Sequence, residues 1–261
     1  PGQLGADVRL GLTNAIYFKA AWAEPFRKTA TREADFYLAA GKTAKVPMMF
    51  RTGGYRYLDE DGVQAVEIPY LGQQASMVVL VPKQVDGLAA LEAKLSAAGL
   101  DAWLGKMQPE NVALGFPRFK TECSFELSGE LKALGMNEAF QFPGADFTGI
   151  SATRELFIGL VIHKSFVEVT EEGTEAAAAT AVVMKGGGPP AEPVKLTADR
   201  PFLFLIRDAQ TGAILCALRV TRAASPSSPP RRITSTRRRS PTVAAKARRA
   251  GSKPAASPAR T

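Results

Sequence analysis

The stretch that most limits this chain's options runs from Val167 to Val183, VEVTEEGTEAAAATAVV, where three local preferences meet in 17 residues. Val167 and Val169 alternate with Glu168 and Thr170, the rhythm of a β-strand with one buried face. Glu171 and Glu172 break that rhythm beside Gly173, a residue free to reverse the backbone. Beyond them, Thr174 and Glu175 open a run of four alanines, Ala176, Ala177, Ala178 and Ala179, followed by Thr180. On propensity alone this run reads as a helix, because alanine is the best helix former and a carboxylate favours the positive end of the helix dipole.

Strand patterns dominate the flanks. Leu10, Leu12, Asn14, Ile16 and Phe18 alternate with their neighbours. Val63 to Tyr70 and Ala75 to Val81 do the same on either side of Gly72, which predicts a hairpin. Asp86 is placed to cap a helix carrying Leu88, Leu91 and Leu95 on one face, with Gly99 to end it. A second helix is expected to carry Leu127, Leu131 and Leu134, ended by Gly135. Later strands are predicted at 112–120, 156–169, 202–207 and 213–220.

Charge is divided sharply along the chain. Residues 222–261 hold 11 of the 33 Lys and Arg and no Asp or Glu, so residues 1–221 carry 22 basic against 25 acidic side chains, a net of −3 within a chain of formal charge +8. The basic excess belongs to a Ser-, Pro- and Ala-rich tail with little apolar surface to offset the entropy of ordering, which is expected to be disordered. Such a tail can bind nucleic acid through phosphate neutralisation, though a solvated extension is the plainer reading. Cys123 and Cys216, far apart in apolar stretches, read as buried thiols rather than as a disulfide or metal site. No apolar run approaches membrane-spanning length and no signal-peptide pattern is present, which leaves the compartment open.

Several catalytic or binding motifs fail on inspection. Gly41-Lys42-Thr43 resembles the end of a phosphate-binding loop, but Phe36 stands where the first glycine is required. His163, the only histidine, has no nucleophile elbow or base-and-orienter set near it in sequence. Gly186-Gly187-Gly188 precedes two prolines and reads as an exposed loop tip. Asn14, Asn111 and Asn137 all lack Ser or Thr two positions on, so none is a glycosylation acceptor. Neither catalytic residues nor a cofactor or metal are expected.

The Val167–Val183 segment resembles the hinge and reactive-centre loop of the serpins, suicide inhibitors of serine proteases. Other blocks resemble the same family in its order: Asn14 to Lys19 with Trp22, Pro25 and Phe26; Val46 to Met49 with Tyr55 to Tyr57; Pro117 to Lys120; Leu134 to Met136 with Ala145 to Phe147; and Ala198 to Phe204. The resemblance spans about residues 8–220 and implies an α+β fold of mixed β-sheets with a few helices and an exposed reactive loop. It implies a serpin domain at 1–221 that lacks the family's N-terminal helices and two outer strands of its main sheet, acting as a monomer. In that family the loop is cut by the target protease and then inserts into the main sheet, dragging the acyl-enzyme with it, and the resemblance implies the same here. Alternating inward positions would be Thr174, Ala176, Ala178 and Thr180, all small. Gly173 would be the pivot. Glu171 would pair with Arg118 at the upper end of the sheet, with Trp22 packed beneath that opening, and His163 would bond Asn14 across the sheet opening. Family spacing places the scissile bond near Gly187-Gly188. Met184 and Lys185 are the residues a protease would more readily select, elastase-, chymotrypsin- or subtilisin-like for the first and trypsin-like for the second. Leu218 stands where the family has glycine, which predicts a clash in a core strand. A non-inhibitory serpin-like binding protein and an inactive fragment are the alternative readings.

Overall fold

A computed structural model describes residues 10–38, 41–60, 62–152, 154–174 and 192–222. In chain order the strands are β1 (Leu10–Tyr17), β2 (Ala20–Ala21), β3 (Arg32–Tyr37), β4 (Thr43–Glu60), β5 (Val63–Pro69) and β6 (Ala75–Pro82). Helices α1 (Leu88–Lys94) and α2 (Ala97–Lys106) lead to β7 (Gln108–Pro117) and β8 (Phe119–Glu126). Helix α3 (Ser128–Ala133) precedes β9 (Ile158–Val169), β10 (Gly173–Thr174), β11 (Val194–Thr197), β12 (Phe202–Asp208) and β13 (Ile214–Val220). This is the α+β architecture with mixed sheets that the resemblance implies.

The larger sheet has 8 strands in the order β11-β7-β4-β5-β6-β12-β13, with β3 pairing β4. β6 explains how it is held. The run Ser76–Pro82 is buried throughout, because Met77, Val79 and Val81 join the main core while Val78 and Leu80 pack with Leu91 of α1 and Leu100 of α2. An apolar run without alternation is what a strand covered on both faces requires.

Three expectations change. The helix from Asp86 to Gly99 is two helices: α1 ends at Leu95, and Ser96 caps α2 by accepting the Gly99 N–H at 3.0 Å. A serine hydroxyl offered to the third residue on outcompetes continuation of the first helix. The predicted strand at 112–120 is broken at Arg118, which separates β7 from β8. Leu218, expected to clash, is accommodated half-buried against the main core on β13, the outermost strand of its sheet among the described residues. Cys216 is not in a disulfide and is half-buried.

The smaller sheet positions the candidate site. β1 runs parallel to β9 from Leu10↔Ile158 to Tyr17↔Phe166, and β8 covers the other edge of β9 in antiparallel register. At the upper end β10 lies antiparallel to both β9 and β2. The short strand therefore wedges between β9 and the continuation of β1.

Candidate functional site

The turn after β9 is built by its own backbone. The Thr170 N–H donates to the Gly173 carbonyl at 2.8 Å, the Gly173 N–H returns to the Thr170 carbonyl at 3.3 Å, and the Thr170 hydroxyl donates to the Gly173 carbonyl at 3.1 Å. The chain thus leaves β9, reverses within four residues and re-enters the sheet as β10. Gly173 makes this possible twice over. Its φ is +150°, and a Cβ there would collide with the Ala20 carbonyl oxygen and lie 2.7 Å from the Ala21 Cα. Only glycine fits so close a backbone approach.

The segment Ala20–Phe26 forms the facing wall. The Trp22 N–H donates to the Glu172 carbonyl at 3.0 Å and the Phe26 N–H to the Glu171 carbonyl at 2.8 Å. Trp22 is fully buried, donates its indole Nε1–H to the Thr170 carbonyl at 3.0 Å, and stacks on Tyr70 with ring centroids 4.7 Å apart. Thr174 is fully buried, and its hydroxyl shares a 2.8 Å hydrogen bond with that of Tyr70.

Charge is arranged outside this apolar seat. Glu171 is buried; Arg118 Nε stands 3.5 Å from its Oε2, and the Thr31 hydroxyl donates to its Oε1 at 2.8 Å. Glu172 meets Lys28 Nζ at 2.7 Å, and this hydrogen bond raises the pKa of the exposed lysine. Because Glu171 is buried while Arg118 is only about a third exposed, truncating the arginine leaves an under-compensated carboxylate. Arg118→Met is expected to destabilise the fold by about 1–2 kcal/mol, below a fully buried pair and above a surface one. Denaturant unfolding reads this, and an unchanged midpoint would mean that Thr31 alone satisfies Glu171.

The structure thus brings Trp22, Arg118, Glu171, Glu172, Gly173 and Thr174 together at one end of the smaller sheet. Asn14 and His163 share a register position in the β1–β9 pair, roughly 20 Å further along the strand by its rise per residue. The two side chains are not hydrogen-bonded to one another, a departure from the expected bond. His163 instead lines a cleft of about 220 Å³ between β9 and β13, beside Ser165, whose buried hydroxyl has no hydrogen-bond partner. Glu175, Ala176 to Thr180 and the scissile-bond candidates Met184, Lys185, Gly186, Gly187 and Gly188 lie outside the described residues, as does the tail from residue 223. Among the described residues no group of three or more His, Cys, Asp or Glu is placed to hold a metal ion. The sequence reading passed over Tyr70, Thr31 and Lys28, and only Tyr70 carried a signal, an aromatic ending an alternating strand.

The family model for serpins (serine protease inhibitors) matches residues 1–223. The chain belongs to the serpin family. It is 44% identical over 209 residues to an uncharacterized serpin-like protein of Thermococcus kodakarensis, covering 79% of this chain and 48% of that one. It is 42% identical over 218 residues to human Serpin B3, covering 82% and 56%. Among solved structures, Serpin48 of the insect Tenebrio molitor, described as highly specific, superposes with TM-score 0.73 at 33% identity, covering 85% of this chain and 58% of that one. Uncleaved ovalbumin gives the same TM-score, 0.73, at 27% identity. The chain therefore spans about half the length of the curated serpins it matches.

Proposed function

We propose that this chain carries the bait and the receiving sheet of a serpin that inhibits serine proteases, without catalytic residues or a cofactor of its own. The target's serine oxygen would bond to the scissile carbonyl carbon, the peptide C–N bond would break, and the amine would leave carrying a proton supplied by the protease. The freed end of the loop would then insert between β1 and β9 before water attacks the ester.

One observation carries this reading: Gly173 and Thr174 already occupy the position between β9 and β2 that an inserting loop would take first. Thr174 points inward and is fully buried. Alternation would bring Ala176, Ala178 and Thr180 inward behind it and leave Glu175 outside, so no charge has to be desolvated. Continuing the antiparallel register from Gly173↔Ala21 and Thr174↔Ala20 would bring Met184 opposite Leu10, the described start of β1. Both protease classes remain open, trypsin-like for Lys185 and elastase-, chymotrypsin- or subtilisin-like for Met184.

Incubation with trypsin, chymotrypsin, elastase and subtilisin tests the proposal. A complex with at least one of them, stable on a denaturing gel, is expected, and cleaved chain should resist heat better than intact chain. A second reading, a serpin cut as an ordinary substrate, is favoured by one feature: among the described residues, β1 has neighbours only on its β9 side. Cleavage by all four proteases without a complex or a gain in heat resistance would replace the first reading with the second.

A further inference from the structure

We propose that Tyr70 is a positioning residue for the hinge, its buried hydroxyl holding Thr174 in the smaller sheet and so setting how readily the rest of the loop follows. Tyr70 lies just beyond the end of β5, on the larger sheet, and pairs with Trp22 through an isolated antiparallel bridge. Its ring stacks on Trp22 at 4.7 Å and meets the tilted ring of Phe18 at 5.0 Å. The side chain is 1% exposed, and the 2.8 Å bond to Thr174 is the partner its hydroxyl finds there. Withdrawal of β10 would leave that hydroxyl buried and unpaired, a state that costs more than the bond itself contributes. These ring contacts hold the hydroxyl in place, so the bond requires no reorganisation when the hinge arrives. The larger sheet thereby senses whether the hinge is seated.

The consequence for trapping rests on the proposed function; the seating itself does not. Amide hydrogen exchange on the intact chain, without protease, measures seating at Gly173 and Thr174, with Val79 in β6 as an internal reference for global stability. Tyr70→Phe keeps the aromatic stack and removes only the hydroxyl, and Thr174→Val removes the other partner at nearly constant volume. Each variant is expected to speed exchange at the hinge by about fivefold with Val79 unchanged. The double variant should be no faster than the faster single one, since the second change has no bond left to break. If Tyr70→Phe folds poorly, Thr174→Val gives the same reading alone. Exchange at wild-type rate in the single variants, or a double variant whose acceleration is the product of the two, overturns the assignment. With a protease that is trapped, Tyr70→Phe should raise the ratio of cleaved to trapped chain. Failure of all trapping in the unaltered chain, with the exchange effects intact, refutes the proposed function and leaves the role of Tyr70 standing.

Discussion

Gly173→Ala is expected to drive the hinge out of the sheet, at a cost of about 2–6 kcal/mol to the seated state. Two effects add at this position. An L side chain at a φ of +150° is strained by ~1–3 kcal/mol. Overpacking adds ~1–3 kcal/mol, and here the obstacles are backbone atoms of Ala20, Ala21 and Trp22 that no rotamer change can move. The ejected turn would also forfeit the hydrogen bonds from the Trp22 and Phe26 amides to Glu172 and Glu171. Limited proteolysis near residue 173 and exchange of the Trp22 amide measure the outcome. A variant that keeps both protected at wild-type level would show that the close approach of these backbones is not what fixes the hinge.

Trp22→Ala is expected to cost about 3–5 kcal/mol of stability, the range for deleting a buried aromatic. The indole is fully enclosed, stacks on Tyr70, and supplies the donor that satisfies the Thr170 carbonyl. Trp22→Phe separates these contributions. Phenylalanine can still stack but cannot donate, so most of the loss should be recovered, leaving about 1 kcal/mol for the missing hydrogen bond. Urea unfolding followed by circular dichroism gives both numbers. Trp22→Phe as damaging as Trp22→Ala would assign the effect to the Thr170 bond rather than to packing.

Much of this site was legible in residue order because its chemistry is local. Glu171, Glu172 and Gly173 announce a reversal, and Thr174 is small enough to be buried at its end. The alanine run that reads as a helix on propensity, Ala176 to Ala179, lies outside the described residues. What sequence hid is what the turn docks against. Tyr70 reads as the last alternating residue of a strand, and its hydroxyl gains a role only because β5 ends 104 residues away in sequence yet directly behind Thr174. Thr31 and Lys28 lie in a polar connection without periodicity, so nothing marks them as partners for Glu171 and Glu172.

The fold shows the same division. β5 and β6 are visible as a hairpin, since two strand-length apolar stretches flank the turn at Gly72. β4, 18 residues long, was not visible as one strand, because Pro47 and Gly53-Gly54 punctuate it. Pro47 lies one residue past the last β4–β7 pair, Met48↔Pro117, so its missing N–H falls at the end of that ladder, and its carbonyl accepts the Arg118 N–H at 2.8 Å. Gly99 reads as a helix terminator in sequence, yet in the structure it sits in the first turn of α2 and donates its N–H to the Ser96 cap.

The direction of β10 has an energetic consequence. β1 and β9 meet as a parallel ladder, whereas β10 runs against both of its neighbours. Every residue of a loop continuing along that path would exchange one parallel pairing for two antiparallel ones, which are slightly stronger per residue. Zipping of the proposed kind would need no external fuel once a free end existed, and reversing it would mean giving up two ladders to regain one.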